Sequence, residues 1–263
     1  QKKKPRTIAN MKRIQDFKVK DYEWLNADNF ILALSSESNI EDIKPGNFAE
    51  IKIPNSHDIF LRRPFSILDV DHKTKTIKFY VKAIGKGTHK LGTLSIGSIL
   101  NIIYPLGNSF NILQQKNVLI IGGGSGIAPF ILLASKLKKE NNQITFLIGA
   151  RSKEDVFLID EFSKFGDVLI TTEDGSLGEK GVVTQHSVFS NHFPFDHIYT
   201  CGPDPMMKAV ATIAKEKNVS CEASLENMMA CGIGACLCCI TSTVNGNKCV
   251  CTEGPVFNTK DLK

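Results

Sequence analysis

The chain has 263 residues, 42% hydrophobic and 22% charged, which is the composition of a folded protein of one large or two ordinary domains and excludes a disordered or collagen-like one. Its net charge of +5 comes mostly from Lys2, Lys3, Lys4 and Arg6, so no basic face points to nucleic acid. No apolar run reaches the ~18–20 residues of a membrane span, and no hydrophobic core follows the basic start as a secretory signal requires. Residues 1–10 read as an extension or tail, with Met11-Lys-Arg-Ile14 as a natural start.

From residue 11 to 113 the chain reads as short strands. Phe30–Leu34, Phe48–Ile53, Leu61–Leu68, Thr76–Ile84 and Ser98–Tyr104 are β-rich, and Phe48–Ile53 and Thr76–Ile84 alternate apolar and polar residues as half-buried strands do. Pro45-Gly46, Pro54-Asn55, Gly85-Lys-Gly87 and Pro105-Leu-Gly107 punctuate them. Five or six strands so spaced predict an antiparallel barrel. Over residues 114–220 the rhythm changes. Val118–Ile121, Ile144–Ile148, Val168–Thr172 and His197–Cys201 are continuous apolar or β-branched runs. Helical patterns lie between them, one ending near Lys139 and others over Glu154–Phe165 and Asp204–Lys217. This alternation predicts a doubly wound parallel sheet. Residues 221–263, rich in Cys and Gly, form a third, small unit. The fold class is α/β plus all-β.

Six of the eight cysteines, Cys231, Cys236, Cys238, Cys239, Cys249 and Cys251, fall within 21 residues. Without an export signal, such crowding argues for metal or redox chemistry in a reducing cytoplasm rather than for disulfides. Cys231-Gly-Ile-Gly-Ala-Cys236-Leu-Cys-Cys239 has the Cys-x4-Cys-x2-Cys spacing of plant-type [2Fe–2S] ligation, with a fourth cysteine further on. Gly232 and Gly234 remove side chains where backbone N–H groups must turn toward the sulfurs. Structural zinc also takes four thiolates, but usually from two short Cys-x2–4-Cys pairs. Spacing favours Cys239 over Cys238, and Cys249 and Cys251 compete for the distal position. Cys221, in a β-like segment, reads as a core residue.

Gly122, Gly123, Gly124, Ser125 and Gly126 follow a strand and open a helical pattern, offering close backbone approach and a helix N-terminus to a pyrophosphate. The turn departs from G-x-G-x-x-G, with Pro129 standing where a third Gly would. Cys201, Gly202 and Pro203 also end an apolar run and open a helix, and two such turns at one edge of a parallel sheet describe a ligand crevice. In the barrel, Arg63-Pro-Phe-Ser66 sets a guanidinium beside a hydroxyl, and Gly85-Lys-Gly-Thr88 offers backbone donors. Both suit a phosphate, and both could equally be a strand end and a turn.

In this order the motifs resemble those of the ferredoxin-reductase-like flavoproteins, in which Arg-Pro-x-Ser and Gly-x-Gly-Thr hold FAD and the Gly-rich and Cys-Gly-Pro turns hold the nicotinamide nucleotide. Ser224-Leu-Glu226, Met229-Ala-Cys-Gly-Ile-Gly-Ala-Cys236 and Cys251-Thr-Glu-Gly-Pro-Val-Phe257 are similar to segments of the electron-transfer subunits of class 1B dihydroorotate dehydrogenase. The resemblance covers the chain from Met11 onward. It implies an FAD-binding barrel at 11–113, an NAD-binding domain at 114–220 and a [2Fe–2S] unit at 221–263. It implies FAD contacts from Arg63, Pro64, Phe65 and Ser66, from Tyr80, Val81 and Lys82, and from Gly87 and Thr88 at the pyrophosphate. The implied NAD contacts are Gly122, Gly123, Gly124, Ser125 and Gly126 with Cys201, Gly202 and Pro203. The family's distal ligand directly precedes x-x-Gly-Pro-Val-Phe, so the implied cluster ligands are Cys231, Cys236, Cys239 and Cys251. Asn227, where relatives frequently carry Arg, and the eleven-residue Cys239-to-Cys251 loop depart from the pattern.

The implied activity is electron transfer in pyrimidine biosynthesis, with no general acid or base of its own. A partner subunit oxidises dihydroorotate on its FMN, and electrons reach NAD+ through [2Fe–2S] and FAD. The implied assembly is a heterotetramer of two of each chain, without nucleic acid or membrane partners. Glu173 and Asp174 favour NAD over NADP, and Arg151 opposes them. Two other readings compete. One is a flavin/iron–sulfur subunit of another NAD(P)H-linked complex, such as an anaerobic sulfite reductase, from which Ala235, Leu237 and the Gly-Pro-Val-Phe run lean away. The other is a zinc-stabilised binding module.

Overall fold

A computed structural model of the chain describes residues 12–56, 58–190 and 193–263. The extension at residues 1–10 lies outside the described residues. Strands β1 (Arg13–Trp24), β2 (Asn29–Ser35), β3 (Phe48–Ile51), β4 (Arg63–Asp71), β5 (Thr76–Lys82) and β6 (Ile99–Leu106) close into a barrel in the order β1-β2-β5-β4-β3-β6. Every neighbouring pair is antiparallel, as expected for the N-terminal third. Phe17, Phe30, Leu32, Ile51, Phe79 and Tyr104 fill its interior. The long β1 is absent from the strand pattern read in the sequence. Only its Gln15, Phe17 and Val19 are buried, and the charged residues between them face outward and mask the alternation. A short helix, α1 (Lys86–Gly92), buries Leu91 against the barrel.

The second layer is a seven-stranded sheet. Its strands are β7 (Asn117–Gly123), β8 (Gln143–Ala150), β9 (Asp167–Thr172), β10 (Glu179–Lys180), β11 (His197–Cys201), β12 (Ser220–Ser224) and, after the hairpin β13 (Ile240–Thr243) and β14 (Gly246–Cys249), β15 (Val256–Asn258). They lie in the order β10-β9-β8-β7-β11-β12-β15, all parallel except β15. Alternate residues of β7 go to opposite faces. Val118 and Ile120 pack under α2 (Phe130–Lys139) and α3 (Ile159–Ser163), while Leu119 and Ile121 pack under α4 (Asp204–Glu216). The sheet is therefore doubly wound. Strand order reverses between β7 and β11, and the Gly-rich and Cys-Gly-Pro turns leave the carboxyl ends of those two strands. That switch point is where open α/β sheets bind ligands.

Two expectations change. The helical pattern over Glu154–Phe165 folds as an α-helix only at Ile159–Ser163: a 3-10 turn covers Lys153–Asp155, and Leu158, with a left-handed φ of 62°, stands at the helix start and keeps it from extending back. A division at 220/221 falls inside β12, which pairs along its whole length with β11. The cysteine-rich segment thus begins and ends on the sheet, and β15 forms its antiparallel edge. Its hairpin and the one-turn helix α5 (Val250–Glu253) pack Val250, Cys239 and Cys251 against Phe48 and Leu106 of the barrel and Met207 of α4. The connection from barrel to sheet is tied to both. The Asn108 side chain donates to the carbonyls of Glu253 (3.0 Å) and Val256 (2.8 Å), and the backbone N–H of Asn111 donates to Glu222 at 3.0 Å. No helix among the described residues is long and apolar enough to cross a membrane.

Candidate functional site

A cleft of about 510 Å³ opens where the sheet's switch point meets the barrel, a volume on the scale of cofactor sites. From the sheet it is lined by Gly123, Gly124, Ser125 and Pro203, and from the barrel by Tyr80 and Lys82. The chain runs through Gly124–Ile127 as a turn of 3-10 helix and into α2, so this is the strand–turn–helix context a pyrophosphate needs. The two turns interlock. A Cβ on Gly126 would strike the Cys201 carbonyl and the Gly202 Cα, and one on Gly123 would meet Met206 Sδ at 2.5 Å. Gly122 and Gly126 are buried behind the turn rather than on its surface. The Cys201 thiol, raised far above its ordinary value by burial, donates to Glu226 Oε1 at 3.7 Å.

Strand alternation sorts the three β5 candidates. Tyr80 and Lys82 face the cleft, whereas the Val81 side chain lies wholly in the barrel core. Burial, with Asp155 adding, pushes the Tyr80 hydroxyl up, and it stays a donor, its O–H bonding to Asn29 Oδ1 at 2.6 Å. Asn29 is itself held by Asn26. Asn29, Asp155, Phe157 and Glu226 also line the cleft. Of these only Glu226 stood in a sequence motif; Asn29 opens β2, Asp155 and Phe157 lie in the connection between β8 and α3, and they left no local signal. Glu173 and Arg151 reach the same cleft from β9 and β8, so the opposed charges bearing on nucleotide choice share one wall.

Arg63, Pro64, Phe65, Ser66, Gly87 and Thr88 lie outside this cleft, at one end of the barrel. Arg63 and Gly87 meet there, since a Cβ on Gly87 would sit 3.2 Å from Arg63 Nε. Arg63 Nη1 donates to the Leu61 carbonyl at 2.7 Å, and Nη2 donates no hydrogen bond among the described residues. Phe65 packs edge-on against Phe79, with centroids 6.4 Å apart. The Thr88 hydroxyl is committed to its own turn. It accepts from the N–H groups of Ile84 and Gly85 at 3.0 Å and donates to the Gly85 carbonyl, leaving backbone rather than side chain to meet a ligand.

The cysteine loop is shaped for sulfur ligation. Gly232 and Gly234 have φ of 65° and 84°, conformations open to glycine, which turn the following amides inward. The N–H groups of Ile233 (3.5 Å) and Ala235 (3.3 Å) donate to Cys231 Sγ, that of Cys238 to Cys236 Sγ (3.5 Å), and that of Cys251 to Cys239 Sγ (3.4 Å). Burial raises the Cys231 thiol, but the amides of Ile233, Cys236 and Ala235 outweigh it and bring it down to about 6. Burial and the neighbouring Cys239 push Cys251 up to about 12, against the Gly234 amide. Cys231 interacts with the Cys236 side chain and Cys251 with that of Cys239. Among the described residues no three His, Cys, Asp or Glu side chains converge on one metal position. Cys238 is exposed and Cys249 half-buried at the end of β14, whereas Cys239 and Cys251 are buried. Cys221 is buried in β12, a core residue as expected.

Residues 226–263 match the model of the iron–sulfur cluster binding domain of dihydroorotate dehydrogenase B, and residues 120–212 match the oxidoreductase NAD-binding domain. The chain is similar to the electron transfer subunit of dihydroorotate dehydrogenase B (NAD(+)) of Caldanaerobacter subterraneus, 44% identical over 81% of this chain and 84% of that one. It is 38% identical to the subunit of the same name from Listeria monocytogenes over 97% of this chain and 98% of that one. Among solved structures, a chain of the NADH-dependent reduced ferredoxin–NADP oxidoreductase, determined to understand flavin-based electron bifurcation, superposes with a TM-score of 0.85 at 32% identity. The match covers 94% of this chain and 89% of that one. The barrel, the switch-point cleft and the glycine-turned cysteine loop thus occur together and in one order. The chain belongs to the family of the electron transfer subunits of dihydroorotate dehydrogenase B.

Proposed function

We propose that this chain carries the electrons of dihydroorotate oxidation from a partner catalytic subunit to NAD+, in the synthesis of pyrimidines. The observation that carries the reading is placement. The cysteine loop lies on the outer wall of the barrel, and the nucleotide cleft opens where barrel and sheet meet. When bound, the [2Fe–2S] cluster supplies one-electron transfer, FAD exchange between one-electron and two-electron traffic, and NAD+ a hydride acceptor.

The residues divide the work. Cys231, Cys236, Cys239 and Cys251 would hold the cluster. The Cys-x4-Cys-x2-Cys spacing with interleaved glycines is that of plant-type [2Fe–2S] ligation, where structural zinc usually takes two short Cys-x2–4-Cys pairs. The loop amides stabilise negative charge on the sulfurs. Arg63 and the backbone at Gly87–Thr88 would hold the FAD pyrophosphate, and Pro64, Phe65, Ser66, Tyr80, Lys82 and the Val81 backbone would make its further contacts. Gly123, Gly124, Ser125 and the Gly202–Pro203 turn would seat the NAD pyrophosphate, with Gly122, Gly126 and Cys201 buried behind them, and Glu173 would accept from ribose hydroxyls that a 2′-phosphate would replace. Loss of the guanidinium in Arg63→Ala is expected to weaken FAD binding by roughly 1.5–3 kcal/mol, read as flavin released and identified by chromatography. Recovery of FMN alone would overturn the flavin assignment.

The partner is a dihydroorotate dehydrogenase subunit carrying FMN, assembled as two of each chain. Met228 (84% exposed), Leu237 (57%) and Ile233 (48%) form an apolar rim around the cysteine loop, the kind of patch that marks a protein contact. Alone, the chain is expected to reduce ferricyanide with NADH, preferring it to NADPH, and to leave dihydroorotate untouched. Added partner restores dihydroorotate-dependent NAD+ reduction, and Ala235→Arg impairs that coupled reaction more than the dye reaction. Dihydroorotate turnover by the chain alone would contradict the assignment. Reduction coupled to a different catalytic subunit would transfer the same electron path to another NAD(P)H-linked complex.

A further inference from the structure

Beneath the cysteine loop the barrel wall holds one charged group that no cofactor contact requires. Glu50 on β3 has no exposed surface, and neither of its carboxylate oxygens has a hydrogen-bond partner among the described residues. Its direction follows from the strand. Ala49 and Ile51 point into the barrel, so Phe48 and Glu50 point out, toward the C-terminal unit. The cysteine loop closes over it so tightly that a Cβ on Gly232 would stand 2.6 Å from Glu50 Cγ and 3.0 Å from its Oε1. Arg62 lies near without bonding to the carboxylate. Its Nη1 donates to the Glu50 carbonyl at 3.3 Å and its Nη2 to Asn101 Oδ1 at 2.5 Å. The charges that reach Glu50 are those of Arg62, Cys231 and Arg63. Burial pushes the carboxyl up to about 7, with Cys231 in the same direction and the two arginines opposing.

Packing gives no reason for this residue. A buried carboxylate without partners is costly, and an apolar side chain of the same size is often more stable in such a place. Its location supplies the reason. We infer that the Glu50 carboxylate is a negative charge that lowers the reduction potential of the iron–sulfur centre held by the cysteine loop. The inference rests on the assignment of the cluster to that loop. The potential of such a centre follows the net charge and hydrogen bonding around it, and a charge in a dry interior acts more strongly than one in water. Lowering the potential makes an electron on the centre easier to pass on, which suits a carrier rather than a store.

The test is a redox titration of the full chain, loaded with its cluster and flavin and followed at pH 8.5 by the EPR signal of the reduced centre. Glu50→Gln keeps the shape and removes the charge. It should raise the midpoint so that, at a fixed potential, the reduced fraction over the oxidised grows about tenfold, 59 mV for one electron. Glu50→Met, which also fits an apolar seat, should shift it the same way and serves if the Gln variant does not accumulate. Glu50→Asp keeps the charge and should keep the low midpoint. A cluster present in normal amount with an unmoved midpoint in both neutral variants would overturn the inference alone. A wild-type chain without an iron–sulfur signal would overturn the cluster assignment, and the inference with it.

Discussion

Serine in place of Cys231, Cys236, Cys239 or Cys251 is expected to strip the protein of most of its iron, while serine at Cys238 or Cys249 leaves iron content and the reduced EPR signal nearly intact. Each of the four supplies one of only four protein bonds to the cluster. Loss of a ligand should therefore exceed the roughly 10–100-fold affinity loss that follows removal of an outer-shell partner. The loop amides sharpen the contrast. Cys231, Cys236 and Cys239 each accept from a backbone N–H, and Cys251 is buried beside Cys239. Cys238 points to solvent, and Cys249 sits at the end of a hairpin strand whose amide is engaged by Glu253. Iron analysis of the six purified variants decides it. Iron lost in Cys249→Ser and kept in Cys251→Ser would reverse the distal assignment. Four thiols that bound zinc in place of iron would replace the cluster by a structural site.

The second large effect is expected from a single methyl group. Gly126→Ala places a Cβ against the backbone of Cys201 and Gly202, and backbone on both sides leaves no flexible side chain to give way. The turns must part, at a cost of about 1–3 kcal/mol. They meet at the nucleotide cleft and contain no cluster ligand, so the damage should be selective. The Michaelis constant for NADH in the dye reaction should rise roughly tenfold, the equivalent of about 1.4 kcal/mol, with flavin and iron contents unchanged. Steady-state kinetics beside cofactor analysis separates this from general unfolding. An unaltered Michaelis constant would mean that contact between the turns does not shape the NADH site.

Much of this protein was legible locally. Cysteine spacing, glycines between cysteines, and Gly/Pro turns at strand ends act within a few residues, so they read directly from the chain. Period-two alternation and apolar runs announced the barrel and the sheet for the same reason. The readings that changed depend on contacts between distant residues. Helix α3 is short because Leu158 takes a left-handed conformation between strands, and propensity over Glu154–Phe165 is too weak a force to prevent it. Strand β12 belongs to the sheet because β11 is there to pair with it, whatever the composition of the segment that follows.

Side-chain direction separates the candidates that sequence could only group. Tyr80, Val81 and Lys82 form one run, yet the pleat sends the middle residue into the barrel and its neighbours into the cleft. Gly85-Lys-Gly-Thr88 read as a set of donors, and folding commits the Thr88 hydroxyl to its own turn. Glu50 lay in an alternating strand pattern as an ordinary outward polar residue. Only packing a loop from 180 residues further along the chain over β3 turns that outward face into an interior. The sequence by itself determined which chemistry the chain carries, because ligand spacing and turn chemistry are local. The tertiary structure alone decided which charges surround that chemistry, because burial is a property of surfaces that meet only when the chain has folded.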